Sequence, residues 1–260
     1  LFYEFLGASL GKHAYETARK AMKLNETLAE MTGLPLEFGE FFYWISFFGT
    51  PSRGEPWGWQ LDGHHCNINC LVAGDQIVLS PTLLGSEPVT AEGGIYKGMT
   101  VLREEEAEGW ALMQTLTREQ RKRATIGMDL PFDGYASGFK DNIVVPYAGL
   151  PVIEMGPQQR EQLIKVIALY TGRLPEGHAE ARLEEVLALL DRTVFAWIGE
   201  FDATGPFYYR VYSPVIFIEF YHQPGVALPN TGYNRRHAHA TMRTPNGNDY
   251  GKVLLKLWHA

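Results

Sequence analysis

Residues 57–69 read Trp-Gly-Trp-Gln-Leu-Asp-Gly-His-His-Cys-Asn-Ile-Asn and place two adjacent histidines in an aromatic, strand-like context. We interpret Trp57 to Val72 as one strand, because β-branched and aromatic residues are frequent there and glycine and proline bound it. Residues 73–75 (Ala-Gly-Asp) then form a tight turn, and Gln76 to Leu79 returns as a second strand. The glycine-rich stretch from Pro81 to Gly98 is predicted to be a loop.

The order of side chains along this strand predicts which histidine is available for chemistry. Successive side chains on a strand point to opposite faces of the sheet. His65 therefore shares a polar face with Asn67, whereas His64 shares an apolar face with Cys66. We expect His65 to face an open site and His64 to be buried and hydrogen-bonded, unless Gly63 distorts the strand and reverses the order.

A second dense stretch, from Arg235 to Tyr250, holds His237 and His239 two residues apart. On a strand their Cα atoms would lie about 7 Å apart on one face, a span that two imidazoles close onto one ion. This is the strongest metal signal in the chain. The alternative is that both histidines are exposed or hydrogen-bonded to ordinary neighbours.

The aromatic stretch from Phe207 to His222 is predicted to be one long strand that carries two further candidate ligands, Glu219 and His222. Glu219 lies in an apolar run, where a carboxylate is costly unless it is paired or metal-bound. Its alternative role is a buried ion pair with Arg210 or Arg243. The two candidates differ in strand parity, so a regular strand would direct only one of them to the site.

Together these stretches predict a metal site. Its expected ligands are His65, Glu219, His237 and His239, with His64 and His222 in reserve. Such a set suits a divalent transition metal, namely Fe, Cu, Mn or Zn.

Five further residues are predicted to act around the metal. Trp57 and Trp59 would wall the substrate pocket together with Asn67. Arg243 would clamp a substrate carboxylate and Asp249 would orient a ligand histidine, which makes them the catalytic candidates. The alternative for Arg243 and Asp249 is a hydrogen-bonded turn.

The remaining pattern predicts an α+β fold with paired antiparallel sheets flanked by helices. We treat residues 1–260 as one domain, with two pseudo-repeated halves, 1–130 and 151–260, as an alternative organisation. In both halves an aromatic strand precedes a long strand, at an offset of about 150 residues. The polar stretch from Pro131 to Pro151 is the candidate boundary between them.

Bulk composition excludes several classes of protein. The chain has 260 residues and a net charge of −7, without the basic face that nucleic-acid binding requires. No apolar run reaches the roughly 18 residues of a membrane span. We therefore expect a soluble protein with a small-molecule substrate and leave the oligomeric state open. The chain begins at Leu1, so an upstream signal peptide is compatible with it and both cytoplasmic and exported locations stay open.

Several motifs resemble the bacterial and fungal domain-of-unknown-function family numbered 3500. The matching runs are Phe48-Gly-Thr-Pro-Ser52, Trp57 to His65, Ser80 to Pro88, Tyr208 to Pro214, Ile218 to Gln223 and His237 to Gly251. Where this family would have Asp before His222, the chain has Tyr221. The resemblance implies that these motifs come together in the fold, and it supplies no reaction.

We expect the protein to be a metal-dependent oxidoreductase that acts on a small organic substrate, which could carry a carboxylate. The histidine-rich site with aromatic walls favours this activity. The alternatives are a zinc-dependent hydrolase and a non-catalytic metal- or ligand-binding module. The sequence lacks the P-loop, dinucleotide and His-Glu-x-x-His motifs.

Overall fold

A ten-stranded, mostly antiparallel sheet organises the computed structural model, which describes residues 1–138, 140–229, 232–245 and 247–260. The helices are α1 (Phe2–Ser9), α2 (Lys12–Thr32), α3 (Arg103–Thr115), α4 (Arg118–Ala124), α5 (Pro157–Thr171), α6 (His178–Ala188) and α7 (Lys252–Trp258). The strands are β1 (Tyr43–Phe48), β2 (Trp57–Gly63), β3 (Cys66–Ala73), β4 (Gln76–Ser86), β5 (Thr125–Gly127), β6 (Leu150–Pro151), β7 (Val194–Ile198), β8 (Tyr208–Tyr212), β9 (Phe217–Pro224) and β10 (Tyr233–Arg243). The α+β prediction is confirmed. No helix in the described ranges is both long and apolar enough to cross a bilayer.

The sheet is one continuous surface rather than the predicted pair of sheets. Its strand order is β1-β2-β3-β4-β10-β9-β8-β7-β5, with β6 beside β7. Two four-stranded antiparallel meanders, β1–β4 and β7–β10, therefore meet where β4 pairs with β10. This seam exists because β4 continues to Ser86, whereas the sequence predicted a loop from Pro81. Thr82 to Ser86 lie opposite Met242 to Ala238 in the β4–β10 ladder.

The two meanders follow the same spacing along the chain. Strands β1, β2 and β3 begin at residues 43, 57 and 66, and strands β7, β8 and β9 begin at residues 194, 208 and 217, a constant offset of 151. The turn after the first strand of each meander also agrees, since Gly49 and Gly199 both have positive φ, 74° and 106°. A Cβ at either glycine would lie 3.1–3.2 Å from the carbonyl oxygen of Pro56 or Pro206, respectively. This spacing is what an internal duplication would produce.

Two predicted long strands are hairpins in the structure. The first divides into β2 and β3 at His64-His65, and the second divides into β8 and β9 at Ser213 to Ile216. His65 has a φ of 61°, a left-handed conformation that glycine and asparagine usually adopt, so the residue type at the turn did not indicate it, and Gly63 was the one nearby residue that the sequence offered as a distortion. In the second hairpin, Pro214 lacks the N–H that a central strand position needs.

The two faces of the sheet differ in character. Ala238, Ala240 and Met242 point to the face that packs in the main hydrophobic core with helices α2, α3 and α5. His237, His239, Thr241 and Arg243 alternate with them and point to the other face. That face is covered by the irregular stretches 128–138 and 140–149, which overlap the predicted boundary between halves from Pro131 to Pro151. The first stretch is held by buried side chains of the sheet, such as Glu219, which accepts the backbone N–H of Ala136 at 2.9 Å.

Candidate metal centre

Three histidines converge at one end of the seam between the two meanders. The Nε2 atom of His237 lies 2.9 Å from Nε2 of His65 and 3.1 Å from Nε2 of His239. One ligand atom from each of the three residues lies within 4.8 Å of the others. His65 comes from the β2–β3 turn and the other two come from β10, so the seam brings the predicted i and i+2 pair together with the turn histidine.

A glycine on β4 makes room for the three rings. Gly85 pairs with His239 across the β4–β10 ladder, and its N–H donates to the carbonyl oxygen of His65 at 2.8 Å. A Cβ at this position would lie 2.3 Å from Cδ2 of His239 and 3.0 Å from Cδ2 of His65. The absence of a side chain at Gly85 is therefore a steric condition for the histidine cluster.

Hydrogen bonds on the far side of two rings fix their tautomers. Nδ1 of His237 lies 2.9 Å from the carbonyl oxygen of Pro224, which can only accept, so Nδ1 carries the proton. Nδ1 of His239 lies 3.0 Å from the hydroxyl oxygen of Tyr221, whose own proton is donated to Asp133 at 2.9 Å. Nδ1 of His239 is therefore the donor as well. The Nε2 atoms of His237 and His239 face each other with lone pairs.

Burial keeps these imidazoles neutral. Burial is the main cause that lowers the pKa of His65 and His239 well below 6.5, and the neighbouring histidines lower the pKa further. The pKa of His237 is also lowered, again mainly by burial. At neutral pH the converging Nε2 atoms are therefore not protonated. Neutral imidazole nitrogen is the form that binds a divalent cation.

An open cavity of about 520 Å³ borders the cluster. His65, His237 and His239 form part of its wall, and Asp62, Asn67, Asp133, Leu83 and Val226 are among the other described residues that line it. This volume lies within the range of pockets that hold small organic ligands. Asn67, predicted to contact substrate, therefore lies beside the cluster.

Two carboxylates that support the cluster were missed in the sequence. Glu87 accepts the backbone N–H groups of Val226, Ala227 and Leu228 at 3.0–3.2 Å, and its carboxylate lies 3.8 Å from Nδ1 of His237. Asp133 holds Tyr221, which in turn holds His239. Both carboxylates lie in stretches that the sequence predicted to be irregular. Glu87 belongs to the run Ser80 to Pro88 that resembles the family, which is the one signal that could have found it, and no such signal marked Asp133.

Glu219 and His222 lie outside the cluster, contrary to the predicted ligand set. Glu219 faces the same side of the sheet as His239, but its carboxylate accepts the N–H of Ala136 and the hydroxyl of Tyr208. Burial raises its pKa to about 7. His222 points to the helix side, because it is one residue out of phase with Tyr221. Its Nδ1 contacts the backbone of Phe207, and its Nε2 lies 3.3 Å from a carboxylate oxygen of Glu106.

His64, the other reserve ligand, lines the cavity without joining the three converging nitrogens. Its Nδ1 lies 2.8 Å from Oδ1 of Asn25, and its ring is 3.8 Å from that of His65, centroid to centroid. Burial lowers the pKa of His64 to about 4. His64 is hydrogen-bonded as predicted, but it is only half-buried and lines the same cavity as His65, because a turn rather than strand parity places the two residues.

The two catalytic candidates form a structural ion pair. Nη1 of Arg243 lies 2.6 Å from Oδ2 of Asp249, and the other guanidinium nitrogens donate to the carbonyl oxygens of Ala136 and Ser137. Asp249 also accepts the hydroxyl of Ser80 at 2.7 Å. Arg243 is therefore closed to a substrate carboxylate, and this pair does not line the histidine cavity within the described residues.

The two tryptophans predicted to wall the pocket line a different hollow. Trp57 and Trp59 border a cavity of about 400 Å³ on the outer part of the first meander, together with Tyr250 and Leu255. Trp59 is 2% exposed and belongs to the hydrophobic core. Strand β2 directs both rings away from the histidines, which follow only after the end of the strand.

Comparison with known proteins identifies the family of the chain. Neither the curated proteins nor the solved structures contain a match to it. A protein-family profile described as "Protein of unknown function (DUF3500)" matches residues 1–252, which include the histidine cluster, Gly85 and the residues that support them. The chain therefore belongs to the DUF3500 family.

Proposed function

We propose that this protein is a metal-dependent enzyme whose single divalent transition-metal ion is bound by His65, His237 and His239. The observation that carries the proposal is that the Nε2 atoms of His237 and His239 lie 3.1 Å apart in a buried environment, each with its lone pair directed at the other. Neutral nitrogen atoms at that distance repel each other, and a shared cation removes the repulsion. The adjoining cavity gives a small organic substrate access to the ion.

The donor set favours zinc and hydrolytic chemistry. Glu219 lies outside the cluster, so the two-histidine, one-carboxylate arrangement of non-haem iron enzymes does not form around these residues. Three neutral imidazoles leave the full charge of the ion in place, and three-histidine zinc centres lower the pKa of a bound water to about 7. Asp62 and Asp133, which line the cavity, are carboxylates of the type that transfers protons in such sites.

A copper-dependent oxidoreductase is the second candidate. Imidazole ligands suit copper, which binds such sites more tightly than zinc does. The contact between His239 and the hydroxyl of Tyr221 favours this alternative, because a phenol beside a ligand is a group that one-electron chemistry can use. The aromatic walls that favoured redox chemistry in the sequence belong to the tryptophan hollow, so the oxidoreductase is now second.

Metal analysis of three purified proteins tests the proposal. We expect about one equivalent of zinc or copper per chain in the wild type, and less than about a tenth of that in His237→Ala, because a three-ligand site tolerates the loss of one imidazole poorly. His259→Ala is the matched control, since His259 is exposed at the end of α7 and outside the cluster. Equal metal content in wild type and His237→Ala would contradict the proposed centre.

The metal found then separates the two activities. Zinc with hydrolysis of an activated ester such as p-nitrophenyl acetate supports the hydrolase, and copper with reduction by ascorbate supports the oxidoreductase. Metal at a hundredfold excess over its Kd should also raise the free energy of unfolding by about 2.7 kcal/mol. His237→Ala should lose most of this gain.

A further inference from the structure

The walls of the histidine cavity carry negative charge without matching positive charge. Asp62 and Asp133 both line it, and the described residues around it include no lysine and no arginine. The hydrogen-bond partners of both carboxylates are neutral. Asp62 accepts the side-chain amides of Gln60 and Asn67, and Asp133 accepts the hydroxyls of Tyr221 and Ser137.

The hydrogen-bond donors near the cavity are mostly committed to the protein itself. Each hydroxyl has one proton, so Tyr221 and Ser137 have no donor left after binding Asp133. The side-chain amide of Gln223 donates to the carbonyl oxygen of Phe132 at 2.6 Å and, at 3.4 Å, to Asp133. The amide of Asn67 uses one of its two protons on Asp62. A ligand therefore meets acceptors on this wall more often than donors.

Asp62 has the most capacity left. Both of its hydrogen bonds in the described structure end on Oδ1, whereas an ionised carboxylate has about four acceptor positions over two oxygens. Asp62 is also partly exposed. Its second oxygen is therefore the group on this wall that a substrate donor could reach.

The charge balance near the ion points in the same direction. Asp62, Asp133 and Glu87 lie on or behind the cavity wall and together carry three negative charges when ionised, against two on a bound divalent ion. An anionic substrate would meet this excess at short range, where the effective dielectric constant is lower than in water. Arg243, the residue predicted to hold a carboxylate, is already paired with Asp249.

We propose that the cavity takes a small organic substrate that carries an ammonium group, which Asp62 binds from the wall beside the metal. This inference rests on the proposed function for the position of the reacting part of the substrate. The preference for a cation comes from the wall itself and holds with or without the ion.

Calorimetric titration with three probes of similar size tests the inference. Benzylamine, benzyl alcohol and benzoate are titrated into zinc-loaded and into metal-free protein at pH 7. We expect benzylamine to bind most tightly in both forms, and Asp62→Asn to weaken its binding about tenfold, since a charge-assisted hydrogen bond is lost. Binding of benzyl alcohol should not change in this variant.

Asp75→Asn is the matched control, because it removes the same charge from an exposed turn between β3 and β4. It should leave the affinity for benzylamine unchanged. Equal binding of all three probes, tighter binding of benzoate to the metal-free protein, or an unchanged affinity in Asp62→Asn would each overturn the inference. None of these results affects metal content, so failure of the substrate class and failure of the metal centre are separate outcomes.

Discussion

Replacement of Arg243 by methionine should destabilise the fold strongly while leaving the metal centre intact. The guanidinium and the carboxylate of Asp249 each have a side chain that is 2% exposed, and they lie 2.6 Å apart. The variant keeps the apolar stem but leaves Asp249 with a buried charge that, among the residues the structure describes, only the hydroxyl of Ser80 and the N–H of Asn142 still satisfy. It also removes the hydrogen bonds from the guanidinium to the carbonyl oxygens of Ala136 and Ser137 in the chain that covers this face.

The expected loss is about 3–5 kcal/mol in the free energy of unfolding, the cost of leaving one partner of a buried pair alone. For a domain of this size that corresponds to a decrease in Tm of roughly 6–20 °C. Urea denaturation followed by tryptophan fluorescence measures the loss. Arg160→Met is the matched control, because its partner Asp191 is 72% exposed at 3.0 Å, and an exposed pair contributes about 0–1 kcal/mol.

A double-mutant cycle with Asp249→Asn should show coupling of about 0.5–3 kcal/mol, since the two residues share one interaction. Arg243→Met with wild-type stability but weaker binding of small carboxylates would refute this reasoning. It would restore Arg243 as an anchor for substrate.

Three further predictions concern two residues that position the metal-binding histidines, Gly85 and Tyr221, and one ion pair between helices, His13 and Glu105. Gly85→Ala should weaken metal binding more than tenfold by displacing the rings, whereas Gly93→Ala, with open space around it, should not, as zinc titration will measure. Tyr221→Phe should reduce metal affinity about 10–100-fold because His239 loses its hydrogen-bond partner. The hydrogen bond to Glu105 raises the pKa of His13 above its ordinary 6.5, and the pKa of Glu105 is lowered below its ordinary 4.5. The pair therefore stabilises the fold fully between pH 4.5 and pH 6.5. The wild type should lose its higher free energy of unfolding over His13→Gln as the pH rises through the raised pKa of His13. Urea denaturation midpoints measured across this pH range will test it.

The α+β class and the histidines of the cluster could be predicted because they depend on local patterns. Alternating side chains placed His237 and His239 on one face of a strand, and the adjacent pair His64-His65 pointed to the third ligand, although a turn rather than strand parity brings His65 to the cluster. The resemblance to the family and the offset of about 150 residues also followed from short motifs. These features need only the period of a strand and the order of elements along the chain.

The predictions that were wrong concern residues whose partners come from distant segments of the chain. A carboxylate in an apolar run is costly, and the sequence showed this cost for Glu219, but the donor that compensates it is a backbone N–H from an irregular segment. The same segment supplies Asp133 and accepts the bonds of Arg243. Irregular segments have no periodicity, so neither their path nor the partners that they offer can be read from the sequence.

Turn chemistry explains the errors in the strands. The two-residue turn at His64-His65 requires a left-handed backbone at His65. Glycine and asparagine adopt this conformation far more often than histidine does, so a turn was not predicted there. The error placed Trp57 and Trp59 in the predicted site, because a single long strand would have carried them on the same face as His65, whereas the turn separates them from it. Proline in β4 likewise concealed the part of that strand that forms the seam.

Because β4 pairs with β10, the histidine cluster joins the two antiparallel meanders, β1–β4 and β7–β10. One imidazole belongs to the first meander and two belong to the second, so neither piece alone carries a complete set. A slip of one residue in the ladder would turn His237 and His239 toward the helices and leave His65 without partners. An ion held by all three would thus fasten the alignment of the strands, and its uptake would report that both pieces had folded and joined in the correct register.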